Sequence, residues 1–131
     1  MTIKRLFFPL FAALSLVVLA GCGGGKSPTD DDVKTYVTRK ENLLAGGSLT
    51  SPKTVSVTFD EIQIGKSRAA DQRDRLVNGA KADTMFPVRV RYTSHRTWGN
   101  GQTEDVTIHY SYDFYVDEFG AWTAIHNGPV R

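Results

Sequence analysis

The chain of 131 residues carries 16 Lys and Arg against 14 Asp and Glu, a formal net charge of +2, and a single cysteine. One cysteine excludes an intramolecular disulfide and any zinc site that is built on several thiolates. The length suits one compact domain, and we find no internal repeat.

The amino end has the pattern of an export signal. Lys4 and Arg5 are followed by an uncharged run over residues 6–20, LFFPLFAALSLVVLA. A signal peptide has a positive start and an apolar core of about 7–15 residues, whereas a membrane-spanning helix needs about 20 apolar residues. A glycine-rich stretch follows the run, so we expect residues 1–21 to be removed as a signal peptide.

The residues at the predicted cleavage site are Leu19-Ala20-Gly21-Cys22. They resemble the lipobox of bacterial lipoproteins, which implies a diacylglycerol on the Cys22 thiol and cleavage just before that residue. The resemblance covers residues 1–25 and implies a membrane-lipid partner on the periplasmic side of the envelope. Gly23, where an Asp would resemble an inner-membrane retention signal, favours the outer membrane. The alternative is an ordinary secretory signal that happens to contain a cysteine.

Removal of the signal changes the charge balance. Residues 1–21 contain Lys4 and Arg5 and no acidic residue, so 14 of the 16 basic side chains remain against 14 acidic ones. A neutral mature chain gives no support for nucleic-acid binding, which needs a clustered basic face. Residues 22–27, CGGGKS, form a flexible tether that reaches about 20 Å when extended. Residues 28–131 then form one small domain.

The first predicted element of that domain is a helix over residues 28–45. Ser27 suits the N-cap and Pro28 the first helical position, and the acidic run that follows suits the helix dipole. Gly46-Gly47 is expected to end the helix. One apolar stripe at helical spacing comprises Val33, Tyr36, Val37, Leu43 and Leu44.

A bent strand is predicted over residues 53–65. Its apolar residues alternate with polar ones and then slip by one position, which predicts a β-bulge near Asp60-Glu61. Residues 66–84 are crowded with charges, and two interpretations stay open. Residues 69–77 form a short helix closed by Asn78-Gly79, or the whole stretch is a solvated loop.

Two long strands follow, joined by a turn at residues 99–101. In the first, Phe86, Val88, Val90 and Tyr92 share one face. In the second, residues 106–116 alternate apolar and polar side chains, the strongest strand pattern of the chain. A turn at residues 117–120 leads into a last strand over residues 121–126.

This order predicts an α+β fold, in which an amino-terminal helix packs on a curved antiparallel sheet of about four strands. With its closing pattern FYVDEFGAWTAI, the chain resembles the cystatin-like fold, which includes cone-shaped domains of the nuclear transport factor two type. Larger members of that superfamily usually have about three helices. The single clear helix here argues against a deep pocket.

The polar face of the two long strands holds the candidate binding residues. Arg89 and Arg91 are expected to lie across from Ser111, Asp113 or His109, because cross-strand Cβ atoms are about 4.5–5.5 Å apart. A cluster of arginines with His109 and Asp113 can bind a carboxylate or phosphate through paired donors. The alternative is a solvent-facing set of weak ion pairs.

Trp98 precedes the turn, and two interpretations stay open for it. It marks a contact site, or it packs over the end of the hairpin.

Catalytic chemistry has little support in the sequence. His95, His109 and His126 lack the spacing of a metal site, and a nucleophile elbow of the form GxSxG is absent from the sequence. A His109/Asp113 pair can do acid–base work only in an apolar pocket, and strand alternation places both residues away from the core. We therefore expect no catalytic residue, no metal and no cofactor.

The sequence thus favours a membrane-anchored, non-enzymatic module that binds an envelope protein in an accessory or inhibitory role, of the immunity or exclusion type. Two alternatives remain. One is a small-ligand-binding or enzymatic cone domain of the cystatin-like class. The other is a structural component of the envelope.

Overall fold

The computed structural model describes residues 26–46, 48–76 and 79–131. The predicted signal peptide, Cys22, most of the tether, Gly47 and Asn78 lie outside the described residues. The elements are α1 (Asp30–Asn42), β1 (Thr54–Ile64), β2 (Arg68–Ala69), α2 (Gln72–Leu76), β3 (Thr84–Thr97), β4 (Thr103–Val116) and β5 (Trp122–Pro129). Within the described ranges, neither helix is long and apolar enough to cross a membrane.

The start of α1 is fixed by a capping box. The Thr29 hydroxyl accepts a hydrogen bond from the Asp32 backbone N–H at 3.2 Å, and the Asp32 carboxylate accepts one from the Thr29 N–H at 2.8 Å. This reciprocal pair satisfies two of the N–H groups that a helix start leaves free. The prediction of Ser27 as N-cap is therefore wrong, and the helix begins at Asp30.

The buried stripe of α1 differs at its end from the predicted one. Val33 and Val37 are fully buried, and the next position on that stripe is Glu41. Leu43 is 80% exposed and Leu44 is 44% exposed, so their assignment to the stripe was wrong. The physical reason is that Leu43 is the C-cap, and helical spacing no longer positions the residues beyond it.

The predicted bulge in β1 is confirmed. Phe59 pairs with Tyr92 and Glu61 pairs with Arg91, which leaves Asp60 as the extra residue. One extra residue reverses the alternation of the strand. Ile62 therefore packs on the same core as Phe59.

The strands form an open antiparallel sheet in the order β1-β3-β4-β5, with the short β2 paired to the start of β3. The α+β class is thus confirmed. The hairpin turn is also as predicted, because Gly101 has a φ of 84° and its N–H donates to the Trp98 carbonyl at 3.0 Å. We call the face that carries α1 the inner face. Its buried core consists of Val33, Val37, Phe86, Val88, Val90, Tyr92, Tyr112 and Phe114.

The opposite, outer face is covered at one end by the segment from β2 to β3. This charge-rich stretch contains the short helix α2, so the solvated-loop interpretation is wrong for residues 72–76. Met85, which alternation places on the outer face, is fully buried. The Ala70 N–H donates to the Asp83 carbonyl at 2.8 Å and closes the segment.

Candidate binding groove on the outer face of the sheet

The outer face carries rows of polar side chains in the predicted register. Arg89 lies opposite Ser111 on β4 and opposite Gln63 on β1. Arg91 lies opposite His109 in the next row. Strand alternation therefore does bring the two arginines and His109 to one face.

An open groove of about 510 Å³ runs along this face beside the covered end. Its walls come from the end of β1, the first part of β3, the last part of β4, and β5. The lining residues are Gln63, Ile64, Gly65, Pro87, Val88, Arg89, Ser111, Tyr112, Asp113 and Asn127. Of the predicted cluster, Arg89 and Asp113 line the groove, whereas Arg91 and His109 lie beyond it.

The two arginines differ in their partners. Arg91 donates to the Glu61 carboxylate at 2.8 Å across the β1–β3 pair. Arg89 is exposed and makes no hydrogen bond or ion pair with the part of the chain that the structure describes. The Arg89 guanidinium therefore keeps its paired donors for a ligand in the groove.

Asp113 does not join the arginines as expected. It lies opposite Pro87, and its carboxylate accepts from Arg68 at 3.0 Å and from the Asn127 amide at 2.8 Å. The residue is only 9% exposed, so its expected exposure was wrong. The reason is that the segment around α2 places Arg68 over this end of the sheet.

Arg68 also anchors that segment. It donates to the Asp74 carboxylate at 2.6 and 3.0 Å, a two-pronged geometry that a guanidinium favours. The hydrogen bonds from Arg68 lower the pKa of Asp74 to about 2. Asp74 also takes part in the cap of α2, because its carboxylate accepts from the Asp71 N–H at 2.9 Å while the Asp71 carboxylate accepts from the Asp74 N–H at 2.8 Å. One guanidinium thus joins α2 to the wall of the groove.

Sequence reasoning missed the two groups that hold Asp113. Arg68 stood in a charge run that was interpreted as a solvated face. Asn127 projects from a bulge in β5, where Ser111 pairs with Gly128 while Tyr112 pairs with His126. The glycine at position 128, with a φ of 94°, was the available signal for this irregularity.

Trp98 does not belong to the groove. It follows Arg89 by nine residues along the chain, which corresponds to about 30 Å in an extended strand. Its side chain is half-buried beside the hairpin turn. The predicted surface therefore divides into a groove around Arg89 and a separate hairpin end at Trp98.

The proposed acid–base pair is not assembled. His109 and Asp113 are four residues apart on β4, about 13 Å in an extended strand, and Asp113 is bonded to Arg68 and Asn127. Another histidine does have a carboxylate partner, since the His95 Nδ1 lies 2.7 Å from Asp105 on the exposed sheet surface. In the described ranges, no three His, Cys, Asp or Glu side chains are placed to hold a metal ion.

The inner face contains a second polar cluster, centred on Glu41. This buried carboxylate accepts from the Tyr92 hydroxyl at 2.7 Å and from the Ser94 hydroxyl at 2.9 Å. The pKa of Tyr92 is raised far above its usual range, mainly by burial of the hydroxyl and secondly by its hydrogen bond to Glu41. The partners are satisfied within the fold, so this cluster fixes the helix on the sheet.

Aromatic rings fill the space beside that cluster. Tyr36 packs edge-on against Tyr112 and Phe114, with ring centroids 5.9 and 5.1 Å away. The Lys40 ammonium lies 5.0 Å from the centre of the Tyr112 ring. The inner face is therefore a packed core around these rings, and the open groove lies on the other side of the sheet.

Comparisons with protein-family models, with curated proteins and with solved structures gave no significant match to this chain. Its chemistry must be judged from the groove itself. The groove offers the Arg89 guanidinium, which has no partner among the described residues, the Ser111 hydroxyl, and the amides of Gln63 and Asn127, whose nitrogens already donate to Glu61 and Asp113. The Asp113 carboxylate in its lining is paired with Arg68. These groups can bind an anionic or amide-rich group, and they offer no nucleophile with an adjacent base.

Proposed function

We propose that this chain is a bacterial lipoprotein whose domain works by binding, without catalysis, at the periplasmic side of the envelope. The support for the anchor is the Leu19-Ala20-Gly21-Cys22 sequence directly after an uncharged run. Acyl chains on Cys22 would hold the domain at a membrane, since each buried methylene contributes about 0.8 kcal/mol. The residue after Cys22 favours the outer membrane.

The observation that carries the binding proposal is the unpaired guanidinium of Arg89 in the groove. Arg68 and Arg91 are both paired with carboxylates, whereas Arg89 is not paired within the described residues. An arginine offers five N–H donors in a fixed fork that matches a carboxylate. The ligand that fits best is a carboxylate-bearing segment of an envelope protein.

The groove also supplies neutral polar groups for such a segment. Gln63 and Ser111 flank Arg89 on the neighbouring strands, and Asn127 follows on β5. The amide nitrogens of Gln63 and Asn127 already donate to Glu61 and Asp113, and their oxygens can accept from the backbone N–H groups of an extended peptide. A short tether restricts the partner to proteins near the membrane surface, which suits an accessory or inhibitory role of the immunity or exclusion type.

The finer assignment of the fold stays a proposal. A helix on one face of long antiparallel strands supports a cystatin-like arrangement. In the cone-shaped members a ligand would enter on the helix side. Here that side is packed with Tyr36, Tyr112 and Phe114, which supports a role for the outer face instead.

A small-ligand binder is the second candidate, and the groove volume favours it. About 510 Å³ lies within the range of about 300–1,000 Å³ that ligand sites occupy. Equilibrium dialysis of the purified protein against small dicarboxylates separates this candidate from protein binding.

The main experiment places a photo-reactive amino acid at position 63, on the wall of the groove, in the lipoprotein expressed in its own bacterium. We expect one discrete cross-linked protein adduct, which Arg89→Glu abolishes. Lys34→Glu is the matched control, because it makes the same charge change on the exposed side of α1. The control variant should give the adduct at the unchanged level.

Two further variants map the surface. Arg91→Glu should weaken the adduct less than Arg89→Glu, because Arg91 is engaged by Glu61. Trp98→Ala tests the separate hairpin end. An adduct that survives Arg89→Glu and is lost with Trp98→Ala would move the binding site to the hairpin. Absence of any adduct in the unaltered protein would favour the structural envelope component.

A further inference from the structure

The described chain begins at one end of the sheet, in an apolar hollow. Lys26 lines a hollow of about 370 Å³ together with Phe86, Val116, Gly120 and Trp122. Apart from Lys26, these residues come from the start of β3, the end of β4, the turn between β4 and β5, and the start of β5. We call this end of the domain the anchor end.

The turn at the anchor end presents an aromatic ring to solvent. Phe119 is 86% exposed. The turn is rigidly built, because the Asp117 carboxylate accepts from the Phe119 and Ala121 N–H groups, both at 2.9 Å. Gly120 adopts a φ of 79°, which completes the turn. A fixed turn therefore holds an apolar side chain away from the core.

The length of chain before Lys26 limits where a lipid on Cys22 can lie. Lys26 is the fourth residue after Cys22, and an extended chain spans at most about 3.6 Å per residue. The lipid-bearing residue must then lie within about 14 Å of the anchor end. In contrast, β3 and β4 lead away from this end for 14 residues each, about 45 Å in extended strands.

We propose that the anchor end rests on the bilayer surface, with the Phe119 ring inserted at the level of the headgroups and the Trp98 hairpin directed away from the membrane. This orientation depends on the proposed lipidation of Cys22. The occupant is a phospholipid surface without a required charge, because Lys81 is already paired with Glu118 at 3.1 Å in this region. An apolar ring beside a lipid attachment gains by leaving water.

In this orientation the groove lies on the side of the domain, where a partner can reach it. Arg89 lies five residues from the start of β3, about 17 Å along the strand from the anchor end. A partner bound there would itself lie close to the membrane. The hairpin end at Trp98 would reach more deeply into the periplasm.

The two tryptophans of the chain give a direct test, because Trp122 lies at the anchor end and Trp98 at the other end. The lipidated protein is reconstituted in phosphatidylcholine vesicles whose acyl chains carry bromine near the headgroup. Variants Trp98→Phe and Trp122→Phe each leave one fluorophore. We expect bromolipid to quench Trp122 several-fold more strongly than Trp98.

A matched pair of variants tests the insertion of Phe119. Phe119→Asp in the Trp98→Phe background should reduce the quenching of Trp122 at least two-fold. Leu49→Asp makes the same kind of change at a fully exposed residue near the other end and should leave quenching unchanged. Equal quenching of Trp98 and Trp122 would overturn the orientation.

Mass spectrometry of the same sample separates the two possible failures. A lipidated Cys22 with equal quenching would overturn the orientation alone and leave the proposed anchor standing. An unmodified Cys22 would overturn the anchor, and the orientation would fail with it.

Discussion

The buried carboxylate of Glu41 joins α1 to the sheet, and its replacement should destabilise the domain strongly. In Glu41→Ala, the hydroxyls of Tyr92 and Ser94 lose their common acceptor. Arg96, whose guanidinium lies 3.7 Å from the carboxylate, loses this ion pair. The helix then sits over two buried donors without a partner.

The magnitude follows from these two hydrogen bonds. A hydrogen bond to a charged group contributes about 1.5–3 kcal/mol, and a buried hydroxyl left without a partner costs about 1–3 kcal/mol. The two losses overlap, so we expect Glu41→Ala to lower the free energy of unfolding by about 3–4 kcal/mol. For a domain of this size that corresponds to a fall in Tm of roughly 12–30 °C. Tyr92→Phe removes one bond and should cost about 1.5–3 kcal/mol.

The assay is thermal unfolding of the protein in nonionic detergent, followed by near-ultraviolet circular dichroism. The triple variant Glu41→Leu, Tyr92→Phe, Ser94→Ala removes the carboxylate and both donors together, and it should recover most of the loss. A cost below about 1 kcal/mol for Glu41→Ala would refute the role given to this cluster. So would a triple variant that is less stable than Glu41→Ala.

Two other predictions concern the walls of the groove. Asp74 has a pKa lowered to about 2 in the folded state, against about 3.9 unfolded. Its contribution to stability is therefore complete above about pH 5 and is lost progressively as the pH falls through 2. Thermal unfolding between pH 2 and 6 should show this loss, and Arg68→Met should flatten it; an unchanged acid limb would contradict the pairing. Gly65→Ala places a Cβ 3.1 Å from the Pro87 carbonyl oxygen and should lower the free energy of unfolding by about 1–3 kcal/mol. Arg89→Met should change it by less than about 0.5 kcal/mol. Urea unfolding compares these two variants, and equal stability would argue against the close approach at Gly65.

The alternating strands of the sheet could be predicted because one buried face imposes a period of two. The residues Phe86, Val88, Val90 and Tyr92 are all buried as expected. The bulge in β1 could also be predicted, since one extra residue shifts the alternation of apolar and polar residues by one position. Local patterns of this kind depend only on neighbouring residues along the chain.

The parts that failed depend on contacts between distant segments. Glu41 continues the buried stripe of α1 because the Tyr92 and Ser94 hydroxyls donate to its carboxylate. The helical spacing of apolar residues cannot predict these contacts with the sheet. Asp113 is buried because Arg68, 45 residues earlier, folds over the sheet. The sequence could place Arg89 and Arg91 on the outer face, but it could not show that Arg91 pairs with Glu61 while Arg89 has no partner among the described residues.

The anchor at Cys22 determines where the domain lies and which partners it meets, and mass spectrometry of the native protein tests it most directly. Trypsin cleaves after Lys26, so the mature amino end should appear as a peptide of residues 22–26 that carries two or three acyl chains. The same peptide with a free thiol, or a peptide that extends from residue 6 to 26, would contradict attachment to the membrane through Cys22.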